Sequence, residues 1–130
     1  MSEFVDSLDE VFAQFGAISA KRMFGGYGIY HDGVMFGLVA DDVLYLKADE
    51  TSSADFVQRG LSAFEYEKAG RSISMSYYAA PEEIFDAPER AAQWATLAFD
   101  AALRARKSKV KTKLERVKSG GSMATGSEAG

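Results

Sequence analysis

The sequence contains no cysteine, one histidine, one tryptophan and two prolines in 130 residues. Without cysteine the chain has no disulfide, no thiolate metal site and no cysteine nucleophile, which suits a reducing compartment. Because His31 is the single histidine, multi-histidine metal sites are excluded, and a Ser-His-Asp triad would have to use this residue. Its neighbours Asp32 and Gly33 predict a hairpin turn, so we expect His31 to be a solvated turn residue without a catalytic role.

Long apolar runs are also missing. No stretch of about 18 apolar residues occurs, as a membrane-spanning helix would need. The first six residues alternate acidic and apolar side chains, whereas a secretory signal has a basic start and a continuous apolar segment. We therefore expect a cytoplasmic protein with no membrane partner. With 47% hydrophobic and 12% aromatic residues, the chain has enough apolar material for one core and one domain.

Basic residues are scarce in most of the chain and dense near its C-terminal end. Residues 1–103 carry a net charge of −10, whereas residues 104–118 carry +7. The cations of this basic segment are Arg104, Arg106, Lys107, Lys109, Lys111, Lys113, Arg116 and Lys118. They spread around a helix rather than along one face. Two interpretations remain open: a solvated helix end, or nucleic-acid binding through phosphates.

Apolar spacing predicts an α+β fold, in which an antiparallel meander is flanked by an N-terminal helix and a long C-terminal helix. Helical spacing runs from Phe4 to Phe15 and stops at Gly16. Strand patterns cover 18–24 and 27–46, and a second hairpin is predicted from 64–67 and 73–77. A short helix is predicted within 47–60, with Thr51, Ser52 or Ser53 as its cap.

The C-terminal part is predicted to be helical. Pro81 opens a short helical turn, and a longer helix is expected to begin at Asp86, since Asp86 and Glu89 have the spacing of a capping box. The predicted organisation is a domain over 1–105, a basic helical extension over 106–118 and a disordered Gly/Ser tail over 119–130.

Three glycines within 25–28 invite comparison with phosphate-binding loops. Such loops lead into a helix whose amide groups face the anion, whereas here the glycines lead into the strand pattern of Ile29 and Tyr30. We interpret them as a tight turn or bulge, in which Gly26 or Gly28 would adopt positive φ. The aromatic residues that alternate in the strands are expected to pack in the core or on a sheet face, with the tyrosines as alternative lining of a groove. These are Tyr27, Tyr30, Phe36, Tyr45, Tyr66, Tyr77 and Tyr78.

Several short motifs are distinctive in their order and position. The first comprises Arg22, Met23, Phe24, Gly25, Gly26, Tyr27 and Gly28, continuing through Ile29 and Tyr30. It is followed by 33–39, 44–47, 64–66 and 75–78, and the series ends near Pro81. With the flanking helices, these motifs make residues 1–105 resemble the N-terminal domain of the TfoX/Sxy competence-regulator family.

The resemblance implies an antiparallel sheet with helices packed at its face and ends. It also implies a relationship to a family whose namesake activates transcription of DNA-uptake genes, and it implies no catalytic residues. Full-length regulators of this family have a second, helical C-terminal domain. A basic helix and a Gly/Ser tail stand in its place here, so a stand-alone module is expected.

Two functions of different class follow. The first is a non-catalytic regulatory or adaptor module, linked to transcription, with a protein partner and weak nucleic-acid binding through residues 104–118. The alternative is a small-molecule-binding or enzymatic domain with a tyrosine-lined groove near Arg22, His31 and Arg71. A tight cluster of buried titratable groups in a pocket would favour the alternative. Neither a cofactor nor a metal is predicted.

Overall fold

An antiparallel sheet with helices against one of its faces forms the body of the protein, which confirms the predicted α+β class. The computed structural model describes residues 2–23 and 25–121, with their side chains except those of 68, 72–74 and 108–121. The strands are β1 (Ser19–Met23), β2 (Gly26–His31), β3 (Val34–Ala40), β4 (Val43–Lys47), β5 (Ala63–Lys68) and β6 (Arg71–Ala79). The helices are α1 (Glu3–Val11), α2 (Ser53–Val57) and α3 (Pro88–Gly121), with a 3-10 turn over Glu82–Phe85.

The strand order is β1-β2-β3-β4-β6-β5, and every neighbouring pair is antiparallel. The first four strands form the predicted meander. The predicted second hairpin is also present, and it joins the same sheet because β6 pairs with β4, with Lys47 opposite Tyr77. The two outer positions of the sheet are thereby taken by β1 and β5.

Tight two-residue turns connect the hairpins. At the predicted Asp-Gly turn, Asp32 and Gly33 have φ of 49° and 76°, the left-handed values that hairpin turns need to match strand twist. Asp41 and Asp42 form the turn between β3 and β4 and also adopt left-handed values, with φ of 51° and 59°. Aspartate tolerates this conformation better than most residues, so the acidic pair is explained by backbone geometry.

One core lies between the sheet and the helices. Leu8 and Phe12 from the α1 region, Phe56 from α2 and Ile84 from the 3-10 turn are buried in it against strand residues such as Phe36. Helix α3 contributes mainly alanines, among them Ala91, Ala95 and Ala98, which are fully buried. Such small side chains allow α3 to lie close against β3 and β4.

The start of α3 differs from the prediction. The helix begins at Pro88, and the carbonyl oxygen of Ala87 accepts the first helical bonds, from the amides of Arg90 and Ala91. Asp86 instead closes the preceding 3-10 turn, because its amide donates to the carbonyl of Glu83. The prediction of a capping box at Asp86 was therefore wrong, whereas the predicted proline in the first turn of the helix is present.

The final part of α3 contains the residues predicted to form a basic extension. Its backbone is helical through the basic segment to Gly121, and most of the predicted tail, 122–130, lies outside the described residues. Within the part of the chain that is described, no helix combines the length and the apolar character needed to cross a membrane.

Candidate functional site

The two faces of the sheet differ in what covers them. All three helices contribute to a core on one face, together with Ile29, Val39 and Leu44. Residues that alternate with these along the strands point to the opposite side, which we call the open face. Leu38 and Tyr77 lie on this side and are 6% and 7% exposed, although neither belongs to the helix-side core. Their neighbours on the open face therefore bury them.

Methionine and tyrosine side chains pack around Gly28 on the open face. A Cβ at Gly28 would lie 2.8 Å from Sδ of Met23, 3.0 Å from Cε1 of Tyr30 and 3.1 Å from Sδ of Met35. The glycine thus leaves room for three large side chains from β1, β2 and β3. This explains why a motif with Met23 and Gly28 five residues apart produces an apolar surface, since hairpin pairing brings the two sides together.

A row of aromatic rings continues the open face toward β5. The ring centroids of Tyr45 and Phe64 are 4.9 Å apart, and those of Phe64 and Tyr66 are 6.2 Å apart with an interplanar angle of 23°. Tyr45 in β4 and Phe64 in β5 are separated by β6, where Ala79 stands opposite Tyr45. Because alanine is small, the two rings meet across it. Tyr66 is 40% exposed.

Lysines border the aromatic rings of this surface. The Nζ of Lys21 lies 4.9 Å from the ring centroid of Tyr30, and the Nζ of Lys47 lies 5.2 Å from that of Tyr77, both within cation–π range. Lys47 also donates a hydrogen bond of 2.6 Å to Oγ of Ser76. Burial, with a smaller contribution from nearby Tyr30, raises the pKa of Tyr77 to about 12, so its phenol is neutral at physiological pH.

The glycines before β2 are explained by backbone geometry, as predicted. The glycine that adopts positive φ, however, is neither of the two named from the sequence. Positive φ occurs at Gly25, at 79°, and not at Gly26 or Gly28. Gly26 is required for another reason, because a Cβ there would overlap the carbonyl oxygen of Val39 in β3. Arg22 is exposed on β1 beside this turn, Tyr27 is partly buried in β2, and Phe24 lies outside the described residues.

The basic segment begins with an internal ion pair. Nε and Nη2 of Arg104 donate to the two carboxylate oxygens of Asp49, at 2.6 and 3.0 Å. Arg106 and Lys107 are exposed on α3. The backbone places the remaining cations, Lys109, Lys111, Lys113, Arg116 and Lys118, on successive turns of the same helix. Arg104 is therefore engaged within the domain, and Arg106 is the first cation beyond it.

Asp49 joins α3 to the start of α2. Its Oδ1 accepts from the amides of Thr51 and Ser52 at 3.1 Å, while its own amide donates to Oγ of Ser52. Ser52 stands at the predicted cap position, but its side chain is buried and makes no cap hydrogen bond, and Asp49 instead closes the turn that leads into α2. The hydrogen bonds from Arg104, with those from Ser52, lower the pKa of Asp49 to about 2 from 3.8.

This pKa predicts a specific dependence of stability on pH. Because the folded-state pKa of Asp49 is depressed, its contribution is complete above about pH 4 and is lost as the pH falls from about 4 through about 2. Asp49→Asn should lower the free energy of unfolding at pH 7 by about 1 kcal/mol, a value reduced for solvent screening of this partly exposed pair. The difference from wild type should shrink toward pH 2 in urea titrations, whereas Glu50→Gln, at an exposed neighbour, should change little at any pH. A constant difference at all pH values would contradict this assignment.

The prediction that His31 is a solvated turn residue was wrong. His31 ends β2 and its side chain is 19% exposed, with ring centroids 4.6 Å from Phe15 and 5.0 Å from Phe99. Its Nδ1 lies 2.7 Å from the carbonyl oxygen of Ala17, in hydrogen-bond contact. The turn itself comprises Asp32 and Gly33, so the preceding residue is still in the strand and points toward the helices. The imidazole is part of an aromatic cluster.

The alternative groove is not assembled. Arg22 lies on the outermost strand β1, His31 is under α3, and Arg71 opens β6, with β2, β3 and β4 between β1 and β6. Strands are spaced about 4.8 Å apart, so roughly 19 Å separates β1 from β6. Within the described residues, no group of three or more histidine, aspartate or glutamate side chains could hold a metal ion.

A polar cleft of about 310 Å³ lies between α2 and α3 and has Trp94 in its lining. Oε2 of Glu83 accepts from Nε1 of Trp94 at 2.7 Å and from Arg59 at 3.0 Å, and the guanidinium of Arg59 stacks over the indole at 5.1 Å. The Trp94 hydrogen bond, followed by the charge of Arg59, lowers the pKa of Glu83. These polar groups are paired with one another, as in a structural linkage between the helices.

Comparison with known proteins points to one family. The family model described as the TfoX N-terminal domain matches residues 10–102. The chain is 32% identical over 95 residues to Protein Sxy of Escherichia coli (strain K12), covering 73% of this chain and 46% of that protein. It is 31% identical over 75 residues to DNA transformation protein TfoX1 of Aliivibrio fischeri (strain ATCC 700601 / ES114), covering 55% of this chain and 36% of that protein.

The match to the family model includes the open face but not the basic segment. The matched residues, 10–102, contain all the strands of the sheet described above, whereas Arg104 and the cations after it follow the match. The chain spans less than half the length of the two relatives.

Proposed function

Because the chain belongs to the TfoX N-terminal domain family, we propose that it is a non-catalytic, cytoplasmic regulatory module linked to transcription. The proposal extends to regulation connected with DNA transformation, the process named in one of its relatives. We further propose that the basic end of α3 supports this role by weak binding to nucleic acid through phosphates.

The observation that carries the nucleic-acid proposal is the position of the charge. The last buried side chain among those described in α3 is that of Ala102, yet the helical backbone continues to Gly121. At 1.5 Å per residue, the part after Ala102 is roughly 28 Å long. The +7 charge of 104–118 is therefore concentrated on a helix that extends beyond the core of a body carrying −10. Such density of cations is what phosphate binding uses.

The same charges argue for modest affinity. The acidic body is repelled by a duplex and competes with it for the basic helix, and both effects depend on salt. Lysines and arginines around a helix contact phosphates without reading base edges, so sequence should matter little. If about four to six phosphates are neutralised, the logarithm of affinity should fall against the logarithm of salt with a slope of roughly −4 to −5.

The test compares the intact chain with variants of the cations that follow Arg104. Arg104 is left in place because it holds Asp49, so the neutral variant replaces Arg106, Lys107, Lys109 and Lys111 with glutamine. Removing four charges should reduce the slope by about 3 to 4 for a duplex of mixed sequence, measured by fluorescence anisotropy at several salt concentrations. The matched control exchanges lysine and arginine at the same positions and should retain the wild-type slope.

Circular dichroism should show unchanged helix content in both variants. The proposal fails if the neutral variant binds duplex DNA as well as wild type, or if wild type does not bind even at low salt. Either result would leave the basic segment as a solvated helix end.

A further inference from the structure

We propose that the open face binds single-stranded nucleic acid, with unpaired bases stacked on its exposed aromatic rings and the adjoining phosphates bound by its lysines. This site lies within the sheet, apart from the basic end of α3, and does not depend on that segment. It therefore goes beyond the phosphate binding proposed above.

The rings provide a stacking platform. Tyr45, Phe64 and Tyr66 form a row with centroid separations of 4.9 and 6.2 Å, and Tyr30 lies on the same face. Tyr66 is 40% exposed, and the other three are partly exposed. Aromatic side chains on an uncovered antiparallel sheet are a recurring platform for unstacked bases, because every base has a flat π surface.

Charge on the open face complements a polyanion. Lys21 and Lys47 lie over the rings of Tyr30 and Tyr77, and alternation along β6 puts Arg71 on the same side as Tyr77. The carboxylates in the strands fall at the alternate positions: Glu65 and Glu67 pair with Ser74 and Ser72, out of phase with Tyr66. Among the open-face residues that the structure describes, no carboxylate occurs. A chain whose body carries −10 thus has a sheet face on which the described charged side chains are cations.

Exposed aromatic rings next to cations favour a single strand over a duplex. In a duplex the flat surfaces of the bases are covered by their neighbours, so only unpaired bases can stack on a protein ring. A face of this kind should therefore discriminate between nucleic acids with accessible bases and those without.

The same observations argue against a second copy as the occupant. A symmetric dimer through this face would bring two like-charged surfaces together. Leu38 and Tyr77 on this face are already 6% and 7% exposed in one chain, which leaves little more to bury at these two positions.

The experiment uses the full chain and labelled dodecamers that carry the same phosphates but differ in their bases or sugar. Oligo-dT and oligo-U offer unpaired bases, and an abasic deoxyribose-phosphate strand offers the phosphates alone. In anisotropy titrations, oligo-dT should bind at least about tenfold more tightly than the abasic strand, because stacking contributes to the first and not to the second. Oligo-U should share this preference, since the proposed contacts do not use the sugar.

Variants of the rings separate stacking from phosphate binding. Tyr66→Ala and Tyr45→Ala should each weaken oligo-dT binding by about tenfold and leave binding of the abasic strand unchanged. Tyr66→Phe retains the ring face and should bind as wild type does. Neutralising the basic end of α3 should remove only the binding at that segment and leave the preference for oligo-dT over the abasic strand intact, so failure of that segment is distinguishable from failure of the open face.

Three results would overturn the proposal. One is equal affinity for oligo-dT and the abasic strand, and another is unchanged oligo-dT binding in Tyr66→Ala. The third is a dimer in sedimentation analysis that Tyr66→Ala converts to a monomer, which would identify the face as a subunit interface. Tyr66 is the most exposed ring of the row, so Tyr66→Ala keeps the test valid if thermal melting shows that Tyr45→Ala does not fold.

Discussion

Gly26→Ala should destabilise the domain by about 3 kcal/mol or more, because the added Cβ would overlap the carbonyl oxygen of Val39. Val39 belongs to the central strand β3 and pairs with Tyr27 on one side and Leu44 on the other. Neither strand can retreat without breaking a ladder, so the backbone has no inexpensive way to accommodate the methyl group. Urea denaturation should show a lower midpoint with a similar slope.

Two neighbouring glycines provide matched controls. At Gly28 the added Cβ would meet the flexible ends of Met23 and Met35, which can shift, and a loss of about 1 kcal/mol is expected. At Gly25 nothing lies within 4 Å, but φ is 79°, so Gly25→Ala should also lose about 1 kcal/mol. If Gly26→Ala were as stable as wild type, or more stable than Gly28→Ala, the close approach of β2 and β3 would be disproved.

Phe36→Ala should remove about 3 to 5 kcal/mol of stability, since it leaves a cavity at the centre of the aromatic cluster. The ring is fully buried, with centroids 5.8 Å from Phe12, 5.2 Å from Phe15 and 6.4 Å from Phe99. These partners come from the α1 region and from α3, so one side chain joins both helices to β3. Because small domains are stable by only about 5 to 15 kcal/mol, the variant should melt at a much lower temperature.

Phe85→Ala is the control of the same chemistry. Phe85 is 44% exposed and contacts Phe4 at 6.0 Å, so its loss should cost under about 1 kcal/mol. Phe36→Leu refills most of the cavity, so its loss of stability should lie between those of Phe36→Ala and Phe85→Ala. Equal losses for Phe36→Ala and Phe85→Ala would show that the cluster does not carry the stability assigned to it.

Local patterns were sufficient to predict most of the elements. The alternation of apolar and polar residues predicted the strands, and the Asp32-Gly33 turn has the positive φ values that such dipeptides favour. Element starts were less predictable. Asp86 has the spacing of a helix cap, yet its amide closes the 3-10 turn before α3, a turn whose Ile84 is buried in the core.

Candidate sites were harder to predict than elements. The basic segment is visible in the sequence because charge density is a property of composition, but the pairing of Arg104 with Asp49 joins residues 55 positions apart. The sequence predicts a solvated turn residue at His31 because Asp32 and Gly33 follow it, whereas its burial depends on Phe15 in the turn after α1 and on Phe99 in α3. A sequence pattern records neighbours along the chain, whereas burial depends on neighbours in space.

By itself, the sequence determined the α+β class, the helical and strand periods, the hairpin turns and the division of charge between an acidic body and a basic end. Each of these follows from residues a few positions apart. Only the tertiary structure decided that β6 joins β4 and that all three helices cover the same face. The period of two within a strand shows that Tyr30 points away from the side of Ile29, and Tyr45 away from the side of Leu44, but not which side is covered. That depends on long-range packing of the helices, and it leaves Tyr30, Tyr45, Tyr66 and Tyr77, with Lys21 and Lys47, on the open face.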